Sequence, residues 1–221
     1  MCGRFTLAER LEQLQKRYEI HEITYDYQPS YNIAPTDLIT TVTRDNQEIN
    51  AFNQIGWGIP LKIEKMNNLL INVRGDNILN NGFFNKMFKS HRCLIPASGF
   101  FEWQKSGSIK IPYFIKTDEK ISSFAGLFYK VKEDFYTTII TTDANSLVSK
   151  LHDRMPVILS KSEEDYWLEP NADEDKLLSF LDPYPAESMS SYKVSSKVNS
   201  VKNNSPDIIK PKASSSLSDF F

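Results

Sequence analysis

Cys2 stands directly behind the initiator in Met1-Cys2-Gly3-Arg4-Phe5. Loss of Met1 is the premise of any chemistry there, because Cys2 then carries a thiol and a free α-amine on adjacent carbons. An α-amine has a pKa of ~7.7–8.0, so roughly a fifth is unprotonated near neutral pH. Thiol reactivity rises with the thiolate fraction. A 1,2-aminothiol condenses with an aldehyde: the amine forms an imine, and the thiol closes a five-membered thiazolidine. The thiol alone could instead attack an acyl carbon, as in N-terminal nucleophile hydrolases. A cysteine at position 2 is also compatible with no chemistry at all.

Other residues narrow these alternatives. Gly99-Phe100-Phe101-Glu102-Trp103 sets a carboxylate between aromatics, straight after the apolar run that begins at Cys93. A carboxyl in apolar surroundings has a raised pKa and suits proton transfer, although a strand Glu can simply face water. Leu151-His152-Asp153-Arg154 offers an imidazole at an expected helix end, beside an arginine. Asn72-Val73-Arg74 pairs a neutral hydrogen-bonding amide with a phosphate-type partner two residues on. His152 has an equally ordinary structural reading, and the Asn-Val-Arg triplet is a weak signal on its own.

Several chemistries lack their sequence signature. Cys2, Cys93, His21, His91 and His152 show no spacing of zinc ligands. Neither a Gly-rich phosphate loop nor a dinucleotide fingerprint occurs, so no cofactor is expected. A Gly-x-Ser-x-Gly nucleophile elbow is missing as well. With only two cysteines there is no disulfide framework, and Cys93 reads as a small buried hydrophobe.

The elements that must position these residues can be read from pattern. Thr6 and Glu9 have capping-box spacing, and Leu7, Leu11, Leu14 and Tyr18 recur at helical intervals, which predicts a helix from Thr6. Runs rich in Thr, Ile, Phe and Tyr predict strands at Leu38–Thr43, Ile49–Ile55, Ile111–Lys116, Ser122–Phe128 and Phe135–Thr142. Short helices fit Ser146–His152, Ser162–Trp167 (Ser162 as N-cap) and Asp173–Leu181. Strands come in sequential groups without βαβ alternation. The expected class is α+β, with a mainly antiparallel, curved sheet, barrel-like or bifurcated, flanked by short helices.

The chain has 221 residues, 40% hydrophobic and 24% charged, enough for one domain with a substantial core. Residues 2–209 are expected to form that domain and 210–221 a disordered Ser-rich tail. No apolar run approaches the ~18 residues of a membrane span, and no secretory signal is evident, so an intracellular location, cytoplasmic or nucleoid-associated, is expected. Nothing requires more than a monomer. Net charge is −2, so a polyanion must be held by a local patch. The acidic run from Glu163 to Asp175 predicts a solvated helical face that nucleic acid avoids.

Taken together, the motifs resemble the SRAP family (SOS response-associated peptidase, abasic-site processing proteins). Besides those above, they include Tyr31-Asn32-Ile33-Ala34-Pro35-Thr36, Trp57-Gly58-Ile59-Pro60, Arg92-Cys93-Leu94-Ile95-Pro96, Thr141-Thr142-Asp143-Ala144-Asn145 and Val198-Asn199-Ser200-Val201-Lys202. They fall in family order over about residues 2–207. The resemblance implies a DNA-repair protein that binds single-stranded DNA and crosslinks abasic sites through Cys2. It places Asn72, Glu102 and His152 around that nucleophile. Arg74 and Arg154 match phosphate contacts, Arg4 is a third candidate, and Trp57 and Trp103 match positions where rings stack on flanking bases. Two departures stand out: Asp76 occurs where Glu is usual, and Phe101 where Tyr is common.

The thiol route (a peptidase or amidase, limited at its simplest to removing Met1) and a non-catalytic reader of single-stranded or modified DNA remain the competing readings. In the tail, Ser214, Leu217, Phe220 and Phe221 have the spacing of a sliding-clamp motif, with Ser in place of Gln. A replication clamp is therefore a candidate partner.

Overall fold

The computed structural model describes residues 2–45, 47, 49–63 and 66–212. In chain order the first half holds β1 (Phe5–Leu7), α1 (Leu11–Tyr18), β2 (Ser30–Ile33), β3 (Leu38–Arg44), β4 (Asn50–Trp57), β5 (Ile59–Ile63), β6 (Met66–Leu70), β7 (Asn72–Arg74) and α2 (Gly82–Ser90). Next come β8 (Arg92–Ala97), β9 (Gly99–Ser106), β10 (Ile109–Thr117), β11 (Ser122–Val131) and β12 (Asp134–Asp143). The last third holds β13 (Arg154–Pro156), β14 (Ile158–Leu159), α3 (Lys161–Leu168), α4 (Glu174–Ser179) and β15 (Met189–Lys193).

Strands β3, β4, β12, β11 and β8 each pair with the next, and β8 pairs back with β3, closing a five-stranded barrel. Within this ring only β4–β12 is parallel. A second sheet runs β15-β10-β9-β1-β2, antiparallel throughout. The class is α+β with antiparallel sheets and a curved, closed core, as the grouping of strands implied.

Aromatic rings join the two sheets. Phe5 of β1 meets Trp57 of β4 edge-on at 5.1 Å and Phe124 of β11 at 5.9 Å, while Phe100 of β9 meets Phe124 at 6.0 Å. All four side chains are buried, and edge-to-face pairs of this kind add ~0.5–1.5 kcal/mol beyond the area they bury.

Two local arrangements matter for chemistry. The second half of β12 carries β7 on one side, with Asn72 opposite Ile139 and Arg74 opposite Thr141. On its other side lies β13, with Arg154 opposite Asp143. In the second sheet β1 runs antiparallel to β9, Phe5 facing Phe100, and Phe101 N–H donates to the Arg4 carbonyl at 2.9 Å. That register carries the N-terminus along β9 toward Glu102.

Between β8 and β9 the chain passes from one sheet to the other at Gly99, with φ of +153°. A Cβ there would sit 2.4 Å from Phe114 Cζ and 2.7 Å from the Ile115 carbonyl oxygen. Only glycine fits.

All five expected strands are present, most of them a residue or two longer. The helix expected from Thr6 is not. Phe5–Leu7 is a buried strand, and the helix starts at Leu11 behind Arg10, whose N–H donates to Gln13 Oε1 at 2.9 Å. Thr6 is fully buried against Gly99, so sheet pairing outweighs its capping pattern. Ser146–His152 yields only a short 3₁₀ turn over Val148–Lys150, with Asn145 Oδ1 accepting from the Leu147 and Val148 N–H groups that lead into it. Ser160, not Ser162, caps α3.

Nor is the acidic run wholly solvated. Glu164 is buried in a fork with Arg17 at 2.6 and 2.8 Å and accepts from Ser123 at 2.7 Å. The tail motif at Ser214, Leu217, Phe220 and Phe221 lies outside the described residues.

Candidate active site

Strands β1, β7 and β9 and the turn before β13 bring the sequence candidates together. Asn72, the first residue of β7, donates from Nδ2 to the Cys2 carbonyl oxygen at 2.9 Å. Its Oδ1 is buried and accepts no hydrogen bond among the described residues. Cys2 is fully buried, and its Sγ lies 3.8 Å from the Arg4 carbonyl oxygen.

Glu102 is 3% exposed on β9. Burial pushes its carboxyl up to about 7, against the lowering effect of a hydrogen bond from the Trp103 backbone. At neutral pH it therefore holds a proton about half the time and can give or take one. Burial, reinforced by the Glu102 carboxylate, pushes the Cys2 thiol far above its usual range. The sulfur is a protonated thiol near neutrality.

His152 comes just after the 3₁₀ turn, its backbone N–H bonded to the Val148 carbonyl at 3.0 Å. Its imidazole is a third exposed, and burial lowers its pKa, so the ring is largely neutral at pH 7. With Arg74, Trp103, Lys105, Lys150 and Arg154 it lines a cavity of about 770 Å³.

The aromatic and basic candidates divide. Trp103 lines that cavity, half-buried, with its indole N–H held by Asn199 Oδ1 at 2.8 Å. Trp57 does not reach a base. It is fully buried between the sheets, its N–H donating to the Ile71 carbonyl at 3.0 Å, and the expected stacking role is corrected to a core role. Its sequence context, an aromatic next to Gly-Ile-Pro, fits a core position equally well.

Arg74 is exposed, forked on Asp76 at 3.1 and 2.7 Å. Asp76, one methylene short of the usual Glu, still makes this contact. Arg154 lines the cavity yet is buried, its Nη1 on Asp143 at 2.6 Å and Nη2 on the Thr141 carbonyl at 2.6 Å. Arg4 is half-buried, and its Nη1 bonds Asn32 Oδ1 at 2.6 Å and the Val198 carbonyl at 2.9 Å. The guanidiniums of Arg4 and Arg154 are thus already committed to internal partners, whereas the Arg74 fork sits on an exposed carboxylate.

Lys105 and Lys150 were not singled out from sequence. Lys105 lies two residues beyond Trp103 on β9, which puts both on one face of the strand, a signal that alternation could have supplied.

Among the described residues, no cluster of three or more His, Cys, Asp or Glu could hold a metal ion, and no helix is long and apolar enough to cross a membrane. A second cavity of about 570 Å³ is mostly apolar and aromatic, lined by Ile59, Leu61, Phe83 and Tyr129, with Lys132 and Asp134 at its wall.

Fold and site together define a two-sheet barrel protein with a buried second-residue cysteine whose thiol feels a buried carboxyl, and a cavity bordered by an imidazole and basic side chains. The model of the SOS response associated peptidase (SRAP) family matches residues 1–201, and the chain belongs to that family. The protein named abasic site processing protein YoqW, from Bacillus subtilis, is 42% identical over 95% of this chain and 99% of its own. Abasic site processing protein HMCES of Gallus gallus is 31% identical, covering 84% of this chain and 67% of its own. A crystal structure of a Bacteroides thetaiotaomicron protein superposes with a TM-score of 0.79 at 27% identity, over 96% of this chain and all of that one.

Proposed function

We propose that this protein processes abasic sites in DNA, by capturing them in single strands as a thiazolidine on Cys2. The observation that carries the reading is the contact of Asn72 with the Cys2 carbonyl, in a chain whose relatives are named for abasic sites. Asn72 fixes the residue that bears the nucleophile, and a buried Glu102 stands by as a proton donor and acceptor. The reading requires loss of Met1, which frees the Cys2 amine.

An abasic sugar equilibrates between a closed hemiacetal and an open aldehyde, and only the aldehyde reacts. Glu102 in its acid form protonates the departing sugar or carbonyl oxygen. The amine nitrogen adds to the carbonyl carbon, water leaves, and the thiol sulfur adds to the resulting iminium carbon. Three hydrogens of the Cys2 ammonium and one of its thiol end as the ring N–H, the two hydrogens of the water and one released proton. Acid–base help of this kind is typically worth ~10²–10⁴-fold. The raised thiol pKa favours this order, amine first, over attack by a thiolate on an acyl carbon.

Arg74, with Lys105 and Lys150 nearby, supplies charge for phosphates, and Trp103 offers a ring held in place for a base. A missing base leaves room at the cysteine, so selection is by shape and by carbonyl chemistry.

The test is intact mass and denaturing gel mobility after incubation with abasic and intact oligonucleotides. The expected product is protein lacking Met1 plus abasic strand minus one water, formed only with the abasic strand and not by Cys2→Ala. An adduct retained in Cys2→Ala, or none with wild type, overturns the reading.

A further inference from the structure

Asn32 is buried in β2, and a buried amide must find partners for its oxygen and both hydrogens. Its Oδ1 accepts from Arg4 Nη1 at 2.6 Å. Its Nδ2 faces the carbonyls of Asn203 at 2.7 Å, Ser200 at 3.0 Å and Val198 at 3.4 Å. An amide turned end for end would set its oxygen against three carbonyls, so the network fixes its orientation. Every one of these carbonyls belongs to a single loop, Val198–Asn203. Arg4 Nη1 adds a bond to the Val198 carbonyl at 2.9 Å, and Asn203 Nδ2 closes the loop on the Lys197 carbonyl at 2.7 Å.

This loop meets Trp103 in two ways. Val198 is fully buried in a cluster with Phe101, Phe114, Val194 and Ile208, and Trp103 packs against that cluster. Asn199, the next residue and itself exposed, accepts from the indole N–H at 2.8 Å. We propose that the Val198–Asn203 loop, clamped by Asn32, is a positioning element that fixes the plane of the Trp103 ring before a DNA strand arrives. The inference rests on the proposed reading, in which Trp103 stacks on a base of the bound strand.

A half-buried indole at the end of a strand has two torsions, and stacking must freeze both. A ring frozen beforehand is spared that loss when the strand binds. With its only donor taken by Asn199, the indole offers a strand its π-face, which every base can use. Asn32 thus acts on binding through Asn199 and Trp103, although its own bonds go to Arg4 and the loop backbone.

The experiment has two arms on the full chain. First, the indole ¹⁵N–¹H signal of Trp103, assigned by its loss in Trp103→Phe, is recorded without DNA. Asn32→Asp keeps the acceptor for Arg4 and removes the donors to the loop. Asn32→Asp and Asn199→Ala are each expected to move that proton upfield and lower its heteronuclear NOE, and Asn199→Asp, which keeps an acceptor, to preserve both. Where Asn32→Asp does not fold, Asn203→Ala loosens the same loop and takes its place. A wild-type indole signal in the loop variants overturns the proposal.

Second, single-strand binding and abasic capture are measured. The strand concentration for half-maximal capture is expected to rise about 3- to 10-fold in the loop variants and in Asn199→Ala, with the maximal rate held within about 2-fold. In a Trp103→Phe background, which has no indole N–H to lose, the same changes are expected to add less than about 2-fold. Equal losses in both backgrounds overturn the proposal. A wild type that forms no Cys2 adduct rejects the capture reading instead, and affinity for intact strands then decides the second arm.

Discussion

The Asn72 side-chain amide and the Cys2 carbonyl oxygen are joined across 2.9 Å, between the first residue of β7 and the start of the chain. A chain terminus is usually the least ordered part of a domain. Here an amide in a barrel-flanking strand holds it, and pairing of β1 with β9 fixes the direction in which the chain leaves Cys2.

Loss of that amide should separate positioning from reactivity. Asn72→Ala is expected to slow capture about 10- to 100-fold and to cost about 1–2 kcal/mol of stability, since a buried carbonyl loses its donor. Single-turnover rates at saturating DNA, together with a denaturant midpoint, check both. Wild-type capture rates would remove Asn72 from the mechanism.

Glu102→Gln should trade activity for stability. Glu102 rises from 4.5 to about 7 in the folded chain. Between those values the folded state keeps a proton that the unfolded state gives up, so stability falls as pH rises through this window. The penalty is absent below 4.5 and complete above 7. The Gln variant should therefore match wild type at pH 4 and exceed it by on the order of 2–3 kcal/mol at pH 8. Capture should slow by about 10²–10⁴-fold. Urea melts at the two pH values, with adduct kinetics, test the pair of effects.

Arg74→Ala should weaken binding to intact and abasic single strands alike. A phosphate must replace Asp76 on the guanidinium fork, so the contact is electrostatic and exchangeable. The slope of log affinity against log salt is expected to shrink by about 0.7, the share of one single-strand phosphate contact. Fluorescence anisotropy at four salt concentrations measures it, and an unchanged slope assigns Arg74 elsewhere.

The two tryptophans should fail differently. Trp57→Ala empties a core position between sheets and is expected to cost about 3–5 kcal/mol of stability. Trp103→Ala should leave the fold near wild type and weaken strand binding by about 1–3 kcal/mol. Thermal melts and binding isotherms on both variants separate a core ring from a stacking ring.

Reading the sequence worked best where pattern and burial coincide. The runs at Leu38, Ser122 and Phe135 alternate or fill both faces of the barrel, and each is a strand. The N-terminus failed because Thr6 and Glu9 satisfy a local capping rule, while pairing of Thr6 with Gly99, over ninety residues away, has no local signature. The closure of β8 on β3 is equally non-local, resting on one bridge between Val42 and Leu94.

Cys2, Asn72, Glu102 and His152 were legible as residue types with compatible chemistry, but their convergence needs four separate segments. Trp57 misled because an aromatic in a motif looks the same whether it meets a base or a core.

Asn32 accepts from Arg4 through Oδ1 and donates from Nδ2 to the Val198, Ser200 and Asn203 carbonyls, while Asn199 holds Trp103. Residues 194 apart thus meet in one hydrogen-bonded cluster. On a ribosome adding ~5–20 residues per second, roughly 10–40 s separate the emergence of the nucleophile from that of its last supporting segment. On the capture reading, a nascent chain exposes its aminothiol well before the segments that would support it exist, and full reactivity arrives only once those segments have emerged.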